Sequence, residues 1–201
     1  MSDLDSTRVE EALLLLGEML DYESVAPVHL VVVGGSALLA AGIVSRTTYD
    51  VDVFARRAEV DGGILDARPL PEPVQLAAKH VANELRLRPN WLNTGPTWVA
   101  APLGSYPTEF WSEMVVREYG KSLTITYIGR TGLIYLKFHA AIDSSRKRQE
   151  VDVDDLRLLK PSREEATKVL GWMRDEELIH AGNAEVLEEL LTTLGYEDLV
   201  S

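Results

Sequence analysis

Asp50 and Asp52 are the residues of this chain whose type and spacing point most directly to chemistry. They alternate with Val51 and Val53, so the two-residue period of a strand would put both carboxylates on one face and both valines on the other. Two like charges side by side are costly unless a cation joins them. Carboxylate oxygens are the ligands Mg²⁺ prefers, and sites of that kind take further oxygens from a substrate's phosphates. A second feature lies upstream, where Gly34-Gly35-Ser36 ends the apolar, β-branched run Val28 to Val33. That run reads as a buried strand, the glycines as a turn, and Ser36 as the N-cap of a helix over Ala37 to Ala41. A strand, a glycine turn and a helix N-terminus place free N–H groups where a phosphate can approach.

The elements that must position these residues follow from periodicity. Thr7 and Glu10 match a capping box ahead of a helix over Arg8 to Asp21, with Val9, Leu13, Leu16 and Leu20 at helical spacing. Ala55 to Arg68 has no clear period, and Gly62-Gly63 marks a loop within it. Pro71 and Pro73 open a helix that runs to about Leu87 and carries His80, which reads as a surface or packing residue. The irregular stretch Arg88 to Pro107 holds Asn90, Trp91, Asn93 and Trp98, with a short strand expected over Trp98 to Ala101; its tryptophans read as packing. Phe110 to Tyr119 fits helix or strand, and Ser122 to Ile128 alternates as a half-buried strand. Thr131 caps a helix from Gly132 to about Ser144 with Lys137 and His139 in its apolar middle. Ser162 with Glu165 caps another helix, and Asn183 begins a last one that stops at Gly195.

Composition sets bounds. With 201 residues, 46% hydrophobic and 26% charged, the chain is long and apolar enough to fold as one domain with at most a helical appendage. It has no cysteine, which excludes disulfides and thiolate metal sites and fits a reducing cytoplasm. The polar, acidic start and the lack of a long apolar run lead us to expect no signal peptide, no membrane span and a cytoplasmic address. A net charge of −12 argues against an extensive nucleic-acid surface. The local basic groups Arg56-Arg57, Arg86 with Arg88, and Arg146-Lys147-Arg148 read as solvated surface.

At Gly34, Gly35 and Ser36, then Arg46, Thr48, Asp50 and Asp52, the chain resembles the nucleotidyltransferase superfamily, which has the fold of DNA polymerase β, in its minimal bacterial toxin and abortive-infection form. The family pattern is an apolar strand, Gly-Gly or Gly-Ser, a short helix, then Arg-x-Thr-x-Asp-x-Asp. Leu123 to Leu159 is similar to the second half of such proteins. The resemblance implies an α+β fold, a small mixed β-sheet flanked by helices, over residues 1–160, with a C-terminal helical extension over 161–201. It implies that Asp50 and Asp52 hold Mg²⁺ (or Mn²⁺) and are catalytic, and that Gly34, Gly35, Ser36, Arg46, Thr48 and Lys137 bind a nucleoside triphosphate. The reaction implied is transfer of a nucleoside monophosphate to a hydroxyl of RNA, protein or a small molecule, in a toxin-antitoxin or phage-defence setting. Family members usually supply a third carboxylate from a later strand, and none stands at that place here. Glu109, Glu113 and Asp143 are substitutes without fitting spacing.

Two other readings use the same residues. A fold of this family that has lost catalysis would serve as an interaction module for a protein partner. Asp50-Val51-Asp52-Val53 also shares the Asp-x-Asp of the haloacid-dehalogenase-like phosphatase core, but that core follows an apolar strand and Ser45 to Tyr49 is polar. Gly34-Gly35-Ser36-Ala37 does not fit the Gly-x-Gly-x-x-Gly of a dinucleotide site, and no Gly-Lys-Ser/Thr is present for a P-loop.

Overall fold

Val28–Val33 (β1) is the central strand of a six-stranded mixed sheet. The computed structural model describes residues 4–58, 62–98, 101–143 and 149–199. The basic run Arg146 to Arg148, the middle of the strand expected over 98–101 and the predicted helix end at Ser144 lie outside them. Among the described residues the sheet also holds Val51–Arg57 (β2), Ile64–Asp66 (β3), Leu92–Asn93 (β4), Val115–Glu118 (β5) and Leu123–Tyr127 (β6). The strand order is β3-β2-β1-β6-β5, with β4 pairing beside β2. β1 runs antiparallel to β2 and parallel to β6, while β2 runs parallel to β4. Central strands buried on both faces need apolar residues on both, and Leu30 to Val33 are all buried.

Helices Ser6–Tyr22 (α1), Gly34–Ala40 (α2) and Glu72–Glu84 (α3) accompany the sheet, and Arg130–Ile142 (α4), Gln149–Leu159 (α5), Arg163–Asp175 (α6) and Ala184–Leu194 (α7) follow it. The fold is thus mixed α/β, seven α-helices and a six-stranded mixed sheet among the described residues. No described helix is long and apolar enough to cross a membrane. The chain divides into two compact units. The first comprises residues 1–98 with 113–129 and contains the whole sheet; the second comprises 99–112 with 130–201.

In the first unit α1 and α3 pack together, and Val9, Leu13, Leu16 and Leu20 are buried as their spacing requires. The cap of α1 is Asp5, whose carboxylate accepts from the Arg8 backbone N–H at 2.9 Å, and not Thr7. Glu10 is drawn away from a capping box because it pairs with Arg117 and accepts from the Tyr119 hydroxyl. The segment 55–68, which shows no period, is a hairpin with its turn at the expected glycines. β2 continues to Arg57, and β3 returns antiparallel from Ile64 after the turn at Gly62. Alternation is hidden there because Phe54 and Ala55 are both buried, beside a register shift in the β1–β2 pairing. Phe110 to Tyr119 is neither one helix nor one strand: a 3₁₀ turn covers Thr108–Trp111 and β5 follows. Gly95–Trp98 is likewise a 3₁₀ turn, ending where the sequence predicts the start of a strand.

In the second unit α6 has the full capping box, with Ser162 Oγ accepting from Glu165 N–H and the Glu165 carboxylate accepting from Ser162 N–H. Gly195 ends α7 with φ +80°, the left-handed conformation that favours glycine. Tyr106 and Phe110, both buried, pack with ring centroids 4.2 Å apart, and Trp172 packs on Tyr106.

Candidate functional site

Asp52 lies where two neighbouring strands converge on β2. Across the antiparallel ladder it faces Val33, the residue before the glycines, and across the parallel pairing it faces Asn93. Val51 and Val53 are fully buried while Asp50 and Asp52 are half-buried, which is the alternation that their spacing demands. Asn93 Nδ2 donates to Asp52 Oδ1 at 3.0 Å, and the Gly95 backbone N–H donates to Asn93 Oδ1 at 2.7 Å. The second bond fixes which end of the amide faces Asp52, so the carboxylate always meets a donor.

The other oxygen of Asp52 faces the glycines. A β-carbon on Gly34 would lie 2.6 Å from Asp52 Oδ2, and Gly34 itself has φ +70°. A β-carbon on Gly35 would lie 2.7 Å from Thr48 Oγ1 and 3.7 Å from Arg46 Nη1. Each glycine therefore holds the space into which a side chain of the Arg-Thr-Asp-Asp segment is packed. Sequence order permits this meeting, and the backbone brings it about: Gly34, Gly35, Arg46, Thr48 and Asp52 form one cluster. Thr48 is anchored from two sides, by paired backbone bonds with Leu4 and by a hydroxyl that donates to the Asp50 carbonyl at 3.3 Å.

Two expected members sit differently. Ser36 is not the N-cap of α2. The left-handed turn at Gly34 lets the helix start directly at the strand end, with Val33 as N-cap, so Ser36 falls inside the first turn. Its hydroxyl is buried and donates to the Val33 carbonyl at 3.2 Å. It also lines a cavity of about 90 Å³ together with Glu10, Arg117 and Tyr127. There Arg117 pairs with Glu10 and lies 5.4 Å from the Tyr127 ring centroid, and the Tyr119 and Tyr127 hydroxyls are 3.1 Å apart. Burial pushes both tyrosine pKa values up, so these hydroxyls stay neutral.

Lys137 belongs to the second unit and makes a buried ion cluster there. Its Nζ lies 2.6 Å from Asp152 Oδ1 and 2.7 Å from Asp155 Oδ2, and all three residues are buried. One cation thus binds two carboxylates of α5 to α4. Of the substitutes for a third acid, Glu109 and Asp143 also belong to the second unit, and Glu109 accepts from the Tyr135 hydroxyl at 3.3 Å. His80 is exposed on α3, and Trp91 is a packing residue whose Nε1 donates to the Ala78 carbonyl.

Asn93 is the member that sequence reasoning missed. β4 is only two residues long and too short to show alternation; the signal is the apolar pair Trp91-Leu92 directly before a polar residue. Comparison with family models, curated proteins and solved structures returns no match to this chain.

The donor set suits Mg²⁺ in one respect and limits it in another. Mg²⁺ sites commonly use one or two carboxylates and complete their shell with water and substrate phosphates, which two aspartates at the strand start can serve. Among the described residues no group of three or more His, Cys, Asp or Glu side chains is placed to hold a metal alone. Any ion held here would therefore complete its shell with water or its substrate's oxygens.

Proposed function

We propose that this protein is a Mg²⁺-dependent nucleotidyltransferase that moves a nucleoside monophosphate from a nucleoside triphosphate to a hydroxyl acceptor. The observation that carries the reading is the close approach of Gly34 to Asp52 and of Gly35 to Thr48 and Arg46. This packing joins a glycine turn at a helix start to a carboxylate-bearing segment distant in sequence, the juxtaposition that a phosphate site beside a metal-holding pair requires. Asp50 and Asp52 would hold the ion, whose chemistry is to neutralise charge on the phosphates as the pyrophosphate departs.

The chain's own residues supply the rest. The glycine turn at Gly34 and Gly35 would offer backbone N–H groups to phosphate oxygens beside the Asp52 carboxylate. Arg46 offers a guanidinium beside Gly35, suited to phosphate oxygens that carry charge. Thr48 holds the Asp50 backbone, and Asn93 holds the Asp52 carboxylate in one orientation. Ser36 and Lys137 are left to structural roles, since the hydroxyl is bonded to Val33 and the ammonium to two aspartates.

The pairing of Asp52 with a neutral amide favours a second reading, in which the site binds a nucleotide without transferring it. Pyrophosphate release from each triphosphate, with Mg²⁺ and cellular RNA or protein as acceptor, separates the two. The transferase reading expects release by the wild type and none by the Asp50→Ala, Asp52→Ala variant. Nucleotide binding without release under every acceptor condition supports the second reading and overturns the first.

A further inference from the structure

Arg57 closes β2 at the end away from Asp52, five residues along the strand and about 16 Å distant at 3.3 Å per residue. Leu30 pairs with Arg56, so the next rung sets Arg57 across from His29 on β1. Arg57 is half-buried, its Nε is out of solvent with no hydrogen-bond partner, and its Nη2 reaches only the Met114 thioether at 3.6 Å. No carboxylate among the described residues pairs with it. A guanidinium drawn partly out of water normally gains an acceptor, because a buried unpaired donor costs free energy. Beside it His29 Nε2 and Thr126 Oγ1 stand 2.5 Å apart, Thr126 being fully buried on β6. Cation, imidazole and hydroxyl converge with no anion among them.

We propose that Arg57, His29 and Thr126 form a binding site for an oxyanion, specifically a phosphate group, on the sheet of the first unit. Arginine's planar fork fits two oxygens at once, and the histidine and threonine add donors from a second direction. Burial, and then the Arg57 charge, hold the pKa of His29 below its ordinary value. The other charged groups nearby do not replace that anion. Arg56 is bonded to the Asp66 carbonyl, and Glu118 is exposed on β5, two strands and about 10 Å from His29 in register. The proposal is independent of the nucleotidyltransferase reading, since it uses none of the same residues.

The test is the ring resonance of His29 followed by NMR against pH, assigned with a His29→Gln variant, at constant ionic strength set with chloride. Inorganic phosphate is expected to raise the His29 pKa by about one unit at saturation, a tenfold preference for the protonated ring. Adenosine 5′-monophosphate gives the same rise if the phosphate belongs to a nucleotide, and none if the pocket takes free phosphate alone. Arg57→Met should abolish the rise. If that variant fails to fold, Arg57→Lys, which keeps the charge and loses the fork, should weaken phosphate binding about tenfold. A pKa unchanged by both phosphate and the nucleotide, or a rise that survives Arg57→Met, overturns the proposal, as does wild-type affinity in Arg57→Lys.

Discussion

Gly34→Ala is the substitution whose cost can be worked most fully. Gly34 has φ +70°, where an L side chain costs about 1–2 kcal/mol. Its new β-carbon would stand 2.6 Å from Asp52 Oδ2, closer than atoms tolerate, so the carboxylate must turn away. Turning breaks the 3.0 Å bond from Asn93, a hydrogen bond to a charged group worth about 1.5–3 kcal/mol. Alanine also narrows the unfolded chain, which returns about 0.4–1 kcal/mol. The net loss is about 2–4 kcal/mol. Gly42 provides the control, because it has φ +68° and nothing within 4 Å of an added β-carbon. Gly42→Ala should therefore cost only the backbone part, about 0–1.5 kcal/mol. Urea denaturation of both variants, read as the shift in midpoint at unchanged slope, measures the difference. In an Asp52→Ala background Gly34→Ala should fall to the Gly42→Ala value. Equal losses for the two glycines in the wild type would refute the packing of Gly34 against Asp52.

Three further outcomes follow from the same geometry. Lys137→Met removes the ammonium that joins Asp152 and Asp155 to α4 and should cost about 3–5 kcal/mol, a Tm drop of about 6–20 °C by calorimetry; a drop under about 2 °C would show that the cluster is not a structural clamp. Asn93→Asp sets a second negative charge beside Asp52 Oδ1 and should lower stability by about 1–3 kcal/mol in chelator. Millimolar Mg²⁺ should recover most of that loss, and a loss indifferent to Mg²⁺ would count against a cation site. For Glu165, the bond from Arg130 holds the carboxyl below its ordinary pKa of 4.5, so the stability it contributes is present above that value and is lost as pH falls through the lower folded one. Glu165→Gln should therefore be less stable than wild type at neutral pH and converge with it in acid, as chemical denaturation at pH 7 and pH 3 would reveal.

How much of this is legible in the sequence varies with the physical signal. Long apolar periods reveal α1 and α3, and the capping residues reveal α6, because one side chain and one spacing decide those elements. Strand alternation places Asp50 and Asp52 on one side, and their shared half-burial beside buried valines follows it. The hairpin of β2 and β3 is hidden because a register shift breaks the two-residue pattern at Phe54 and Ala55. Ser36 is misplaced by its sequence context because Gly34 itself takes up the turn, and a positive φ is a freedom that a glycine offers without announcing it. Asn93 goes unread because two residues carry no period, and its meaning comes wholly from the strand beside it.

The nucleotide site is tested most directly by calorimetric titration of the protein with each of the four nucleoside triphosphates, with Mg²⁺ and with chelator, alongside the Asp50→Ala, Asp52→Ala variant. A carboxylate pair that holds a nucleotide-bound ion predicts binding of at least one triphosphate that requires Mg²⁺ and is lost in the variant. Absence of binding to the folded wild type, or binding equal in chelator and in the variant, would contradict it.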